Sequence, residues 1–395
     1  MDEVALHELL SGRRRDVGAR LLRGGLTVAS GGYGAAMALR NFGYERRWLS
    51  VTRVDVPVIS LGNITTGGTG KTPMAAWLAN WLTQAGRTPG LLSRGYRSLE
   101  GEGTTPTEPS GQPTSHAMLA RQEPRPPATS GAGNDEKLVL DRLCPGVPHI
   151  QQRDRVSSAR QLVAEHRCDT LILDDGFQHR RLHRDLDIVL IDALQPWGYG
   201  HLLPRGLLRE PLAGLKRADL IVLTRADQVS PEQRRKLLDQ LARARGTDES
   251  AQVAFVPQRL IGLGAGSALE MPLALDAVRG QRAFAFCGIG NPLGFARTAA
   301  SLTTSSLTDA SPHDTRFLRV FPDHHYYTER DLVDVASAAK AARAEIVLTT
   351  MKDFVKLRSE AWTGPPLYAI EIGVEFLNGQ TLLEDRLRGL VRLPS

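Results

Sequence analysis

One run of sequence, ISLGNITTGGTGKTPMAAWLANWL at residues 59–82, constrains this chain more than any other feature. An apolar strand leads into a glycine-rich turn, and Lys71–Thr72 opens an amphipathic helix. The phosphate-loop pattern GxxxxGK[ST] is met except at its first position, where Thr65 stands in place of glycine. Thr65, Thr66, Gly67, Gly68, Thr69 and Gly70 form the turn. Its glycines let backbone N–H groups face a β-phosphate, and the helix N-terminus adds positive potential. Lys71 supplies a point charge for the β- and γ-phosphates, and the Thr72 hydroxyl suits Mg²⁺. A bare GGTGKT is also compatible with an incidental turn. The strand before it and the helix after it favour nucleotide binding.

About one hundred residues further on, Thr170-Leu-Ile-Leu-Asp-Asp reads as a buried strand ending in Asp174 and Asp175. Carboxylates at such a strand end can hold Mg²⁺ directly or through water. Two acidic residues capping a turn are the plainer alternative. Further apolar runs, VPVISLGN, PGLLSRGY, DIVLIDA, LIVLTRAD, AFAFCGIG and EIVLTT, alternate with helical stretches. This pattern predicts a doubly wound α/β fold with a mostly parallel sheet covered on both faces. At 395 residues the chain is long for one core, so two α/β units are expected. Residues 51–280 make the phosphate-loop unit and 281–395 a smaller C-terminal one, with a break near Gln281. Residues 98–133, rich in Gly, Pro, Thr, Ser and Glu, read as a flexible insert. Cys144, Cys168 and Cys287 are dispersed and odd in number, which argues against a disulfide framework and for a reduced, cytoplasmic protein. The acidic start, MDEVALHELL, does not read as a signal peptide.

The net charge of +6 needs a location before it has meaning. Much of it lies in residues 1–50, where Arg13, Arg14, Arg15, Arg20 and Arg23 accompany Leu21, Leu22, Leu26 and Val28. An uncharged stretch from Gly24 to Leu39 follows, then Arg40, Arg46, Arg47 and Trp48. The stretch is short of the ~20 apolar residues that cross a bilayer. It suits a basic amphipathic helix lying on an anionic membrane surface. A helix packed on its own domain is the alternative. No nucleic-acid module accompanies the charge.

Several further blocks narrow the reading: GNITTGGTGKTP, LLSRGYRS, GNDEKLVL, LDDGFQHRRLHRDLDIVLIDA, GHLLPRGLLREPL, LTRAD, FCGIGNPLGF, FPDHHYYTERDL and LTTMKDFVKL. In this order they resemble the tetraacyldisaccharide 4′-kinase family of lipid A biosynthesis, across Val56 to Leu357. The resemblance implies an ATP-dependent, Mg²⁺-requiring transfer to the 4′-hydroxyl of a tetraacylated glucosamine disaccharide 1-phosphate. It also implies two α/β domains that close over substrate, and an N-terminal helix peripheral to the cytoplasmic face of the inner membrane. The family's GDEP-like acid maps to Asp135, with Glu136 beside it. Here Asn134 is inserted and Lys137 replaces the usual proline. The family's histidine maps to His324, next to Asp323, with His325 as second choice. Glu210, in LREP, is taken as a further Mg²⁺ or water-shell ligand, and Leu207 replaces a common proline there.

Chemistry supports these roles independently. A sugar hydroxyl is a poor nucleophile, and a carboxylate that accepts its proton both orients and activates it. A helix cap is the competing reading of Asp135, and a surface loop that of His324. In the basic run His179–Arg184, a zinc reading of His179 and His183 lacks supporting ligands. Arg180 and Arg181, with Arg94, Arg97 and Gln178, are candidates to meet the acceptor's 1-phosphate. Thr224–Asp227 (TRAD) reads as a strand-end turn, and the roles of Lys352 and Asp353 stay open. A membrane-associated P-loop ATPase acting as a switch is the alternative function. It leaves the PDHH and LREP segments without a task.

Overall fold

The computed structural model describes residues 3–94, 134–264, 267–303, 317–357 and 362–391. The expected insert, 98–133, and Arg97 lie outside the described residues.

Two helices open the chain, α1 (Glu3–Ser11) and α2 (Val17–Glu45). An alternating series follows: β1 (Val58–Asn63), α3 (Lys71–Gln84), β2 (Pro89–Ser93), α4 (Asp135–Leu143), β3 (His149–Gln151), α5 (Arg155–His166), β4 (Thr170–Asp174), β5 (Leu186–Asp192), β6 (Leu220–Thr224) and α6 (Pro231–Arg245). Next come β7 (Ser250–Gly264) and β8 (Ser267–Leu273), then β9 (Ala283–Cys287), α7 (Pro292–Leu302), β10 (Leu318–Val320), α8 (Glu329–Ala341), β11 (Ile346–Thr350) and α9 (Met351–Phe354). The chain closes with β12 (Leu367–Asn378) and α10 (Gln380–Val391).

These elements form where local chemistry and burial agree. Every residue of β1, β2, β4 and β6 is buried, as strands covered on both faces require. In α3, Met74, Leu78 and Leu82 recur every fourth position and meet Ile59, Leu61, Ile172 and Ile188 of the sheet. Helix α6 starts at a Ser230–Gln233 capping box with Pro231 in its first turn. It stops at Gly246, whose φ of 92° suits glycine.

The strands form one sheet in the order β10-β9-β11-β12-β7-β6-β5-β1-β4-β2-β3, with β8 pairing on β7. From β3 to the start of β7 all pairings are parallel. Strands β12, β11, β9 and β10 are also mutually parallel. Between the two blocks, β7 and β12 run antiparallel, with Leu367 opposite Leu263 at one end and Asn378 opposite Gln252 at the other. Strand β7 therefore leaves the first block at its carboxyl edge and enters the second, whose strands point back. The carboxyl edges of the two blocks face each other. The seven apolar runs picked out in the sequence are β1, β2, β4, β5, β6, β9 and β11. The long pair β7 and β12 was not among them.

Helix α2 docks through one side: Ser30 Oγ donates to Leu202 O at 3.0 Å, and Tyr33 OH donates to Arg209 O at 2.7 Å. On the opposite side Val17, Leu21, Val28 and Leu39 share one helical face and are 72, 72, 79 and 68% exposed. Among the described residues, no helix is long and apolar enough to cross a membrane.

Candidate functional site

The loop between β1 and α3 has the shape of an anion cradle. Gly67 and Gly70 take φ of 117° and 86°, which side chains rarely adopt. A Cβ on Gly67 or Gly68 would meet nothing within 4 Å, so backbone is presented to open space there. A Cβ on Gly70 would come within 2.0 Å of the Phe255 ring. Thr65 is not among the residues with positive φ, so this position does not demand the glycine of the general pattern. The loop is tied down from behind. Thr66 N donates to Leu207 O at 2.8 Å, Thr224 Oγ1 to Thr69 O at 3.0 Å, and Asn63 Nδ2 to Thr69 Oγ1 at 2.9 Å. Arg225 Nη2 donates to Gly68 O at 2.8 Å, while its Nη1 pairs with Asp192. Thr224 and Arg225, read from sequence as part of a strand-end turn, therefore brace the cradle. The only signal for this was their place at the carboxyl end of β6.

Lys71 and Thr72 open α3 beside the end of β4, because β4 is the parallel neighbour of β1, with Asp174 opposite Leu61. Lys71 Nζ lies 3.5 Å from Asp175 Oδ1, and Arg209 Nη1 reaches both Asp175 oxygens at 2.6 and 2.8 Å. Burial pushes the Asp175 carboxyl up, but Lys71 and Arg209 outweigh it and hold it below the usual range. Asp174 is the opposite case. Burial, then the charges of Glu136 and Asp175, push it up to about 7 despite Lys71 and Arg155. A buried carboxylate short of positive charge is what a divalent cation would satisfy. Among the described residues no group of three or more His, Cys, Asp or Glu could hold a metal by itself. Mg²⁺ takes one or two carboxylates and fills its shell with phosphate oxygens and water. Asp174 is the carboxylate short of positive charge at this edge, whereas Arg209 engages both Asp175 oxygens.

Facing this edge, the second block contributes His324. Its Nδ1 lies 2.7 Å from Asp135 Oδ2. Asp135 is the first residue of α4, but it does not cap the helix. Asn134 does so, accepting from Lys137 N at 3.0 Å, which leaves the Asp135 carboxylate to turn across the cleft. His324 has a φ of 59°, a conformation costing about 1 kcal/mol or more in a non-glycine residue. Its N–H donates to Asp323 Oδ1 at 3.0 Å and to Gly288 O at 3.3 Å. His325 turns away, bonding Asp331 at 3.2 Å and stacking on Phe321. The hydrogen bond to Asp135 raises the His324 pKa. Burial pushes Asp135 up, yet His324 and then Lys352 hold it low. Lys352 Nζ sits 3.6 Å from Glu136 Oε1. Burial would lower its pKa, but Glu136, Asp135 and Asp323 raise it. Beneath these charges, Val139 of α4 packs in one apolar cluster with Met351 and Phe354 of α9, holding the edges together. Lys352 thus joins a cross-block cluster of charges; in the sequence it showed only as a residue after a strand.

The remaining candidates are placed elsewhere. Glu210 is fully buried, and its oxygens accept from Gln178 Nε2 and Arg217 Nη2, both at 2.7 Å. Gln178 Nε2 also donates to Asn63 O at 2.9 Å. These two residues buttress the end of β1, and the carboxylate expected to bind metal is engaged by protein donors. Arg180 docks on α2, donating to Asn41 and lying over the Tyr44 ring at 4.9 Å. Arg181 is exposed, 3.8 Å from Asp154, and Arg94 is exposed at the end of β2. His183 pairs with Asp185 at 3.2 Å.

Comparison with known proteins gives the family. A model of the family described as tetraacyldisaccharide-1-P 4'-kinase matches residues 22–392. The tetraacyldisaccharide 4'-kinase of Anaeromyxobacter dehalogenans (strain 2CP-C) is 38% identical over 364 residues, covering 92% of this chain and 89% of that one. The enzyme of that name from Syntrophus aciditrophicus is also 38% identical, over 345 residues, covering 84% and 83%. Among solved structures, LpxK from Aquifex aeolicus, crystallised in complex with ATP, superposes with a TM-score of 0.65 at 25% identity, covering 94% of this chain and 99% of that one. With the family model matched over residues 22–392 and relatives 38% identical over most of the chain, the chain belongs to the tetraacyldisaccharide 4'-kinase family.

Proposed function

We propose that this protein transfers the γ-phosphoryl group of ATP to the 4′-hydroxyl of a tetraacyl-glucosamine-disaccharide 1-phosphate at a membrane surface. The observation that carries the proposal is the 2.7 Å contact of His324 with Asp135, reaching from the second block to the edge that bears the phosphate loop. Loop N–H groups and Lys71 hold the triphosphate. Mg²⁺, held by Thr72 and Asp174 and through water by Asp175, whose oxygens Arg209 also engages, would neutralise charge on the phosphates. The acceptor hydroxyl lies against Asp135. Its oxygen bonds to the γ-phosphorus as the bridging oxygen leaves with ADP, and its proton passes to the Asp135–His324 pair. Lys352 keeps Asp135 ionised and adds positive charge where the phosphoryl group crosses. Phosphoryl transfer depends mainly on such positioning and neutralised charge. We assign Glu210 and Gln178 to the support of β1. We also take the two blocks as lobes, 51–280 and 281–395, that close around the acceptor by flexing the β7–β12 pair.

Positioned acid–base groups contribute about 10²–10⁴-fold. In a γ-labelled ATP assay with Mg²⁺ and detergent-dispersed acyl-disaccharide 1-phosphate, the protein yields a bis-phosphorylated lipid. Asp135→Ala and His324→Ala each lower kcat at least 100-fold while the KM for ATP stays within about threefold. ATP consumption indifferent to the lipid would instead mark an ATPase switch.

The pair is competent when Asp135 is ionised and His324 is neutral. Because Asp135 raises the His324 pKa, kcat/KM should climb with pH through a midpoint above the ordinary imidazole value of about 6.5. In Asp135→Asn that limb moves down or disappears. A wild-type midpoint at or below 6.5 would count against the pairing.

Membrane contact is assigned to the exposed face of α2, with Arg46, Arg47 and Trp48 beside it. Each buried apolar side chain contributes about 1.5–3 kcal/mol. Val28→Glu with Leu39→Glu should therefore reduce binding to phosphatidylglycerol-containing vesicles at least 10-fold, as read by flotation. Equal flotation of variant and wild type would place the membrane contact elsewhere.

A further inference from the structure

The position of Asp135 poses a mechanical problem. It opens α4 directly after a long connection from β2, yet a displacement of about 1 Å at a reacting group can cost 10²-fold in rate. We propose that Ser93, Asn134, Lys137, Asp141, His149 and Gln151 form a closed hydrogen-bond ring whose task is to hold Asp135 in register. The inference rests on the role assigned above to Asp135.

The ring can be followed atom by atom. Asn134 N donates to Gln151 Oε1 at 3.1 Å, and Gln151 Nε2 returns a bond to Asn134 Oδ1 at 2.8 Å. Gln151 Nε2 also reaches Ser93 Oγ at 3.3 Å. Ser93 Oγ lies 2.8 Å from His149 Nε2, and His149 Nδ1 lies 2.9 Å from Asp141 Oδ1. Asp141 Oδ2 accepts from Lys137 Nζ at 2.5 Å, and Lys137 N closes the ring on Asn134 Oδ1 at 3.0 Å. Three elements are clamped: the end of β2, strand β3, and the first two turns of α4.

Donors and acceptors balance around the ring with a neutral imidazole. Burial lowers the His149 pKa more than Asp141 raises it. Nδ1–H then donates to Asp141, Nε2 accepts the Ser93 hydroxyl proton, and the Ser93 oxygen accepts from Gln151. The order Ser–His–Asp is that of a hydrolytic nucleophile, but Ser93 is only 6% exposed and Lys137 neutralises Asp141. The arrangement fixes position and does not attack. Two of its members are the places where this chain departs from the GDEP-like motif: the inserted Asn134, and Lys137 in place of proline. A proline at 137 has no N–H to give Asn134.

The test uses the full-length protein carrying Gln151→Leu or His149→Leu. Two readouts are taken: the His324 imidazole titration by NMR, which needs no substrate, and kcat with the KM for ATP. The ring predicts that in Gln151→Leu the His324 midpoint falls towards the ordinary value. It also predicts a 10- to 100-fold loss of kcat with the KM for ATP within twofold. His149→Gln, which can bridge Ser93 and Asp141, should recover most of what His149→Leu loses. A folded Gln151→Leu protein with unchanged midpoint and kcat within twofold of wild type overturns the proposal, and this variant decides the matter if His149→Leu does not fold. A shifted midpoint in a protein that phosphorylates no disaccharide would support the ring and defeat the functional reading instead.

Discussion

Strand β12 lies antiparallel to β7 from Leu367 opposite Leu263 to Asn378 opposite Gln252, and this one reversal turns two parallel blocks to face each other. In open α/β sheets ligands gather outside the carboxyl ends of strands. A single block would offer one such edge. The reversal supplies a second, so that residues of α4 meet residues that follow β10 and β11. The Asp135–His324 and Glu136–Lys352 contacts both cross that gap. The two long strands join the edges within one sheet.

Charge is distributed unevenly across the site. On the nucleotide side, Asp175 is satisfied by Lys71 and Arg209, whereas Asp174 is buried and pushed up to about 7. At the facing edge, Asp135 is held low by His324 and Lys352. The same residue type thus stands in two electrostatic settings, one short of positive charge and one paired with a histidine. Environment, and not identity, separates the roles.

Much of this was legible in the chain. The glycine-rich turn and the parallel strands follow from local pattern, since each depends on residues close in sequence, and the family resemblance named Asp135 and His324, which lie 2.7 Å apart. What escaped notice depends on long-range contact. Strands β7 and β12 hold a proline, glycines and charges that dilute the apolar signal, and they are strands because they pair with each other. Lys352 gains meaning only when the facing edge arrives, and Arg225 only when the loop after β1 lies beside it. Glu210 carries the acidic label of a metal ligand, but Arg217, seven residues along the chain, and Gln178 claim its oxygens. A helix cap was the competing reading of Asp135, but the Asn134 side chain fills that place.

Whether the two edges act as one catalytic unit is the central claim, and a double-mutant cycle on kcat tests it most directly. If Asp135 and His324 work as a pair, the double variant Asp135→Ala/His324→Ala will be about as slow as the slower single variant, because either change already abolishes the shared function. If the two losses instead multiply, each residue acts independently and the pairing across the β7–β12 reversal is not the basis of catalysis.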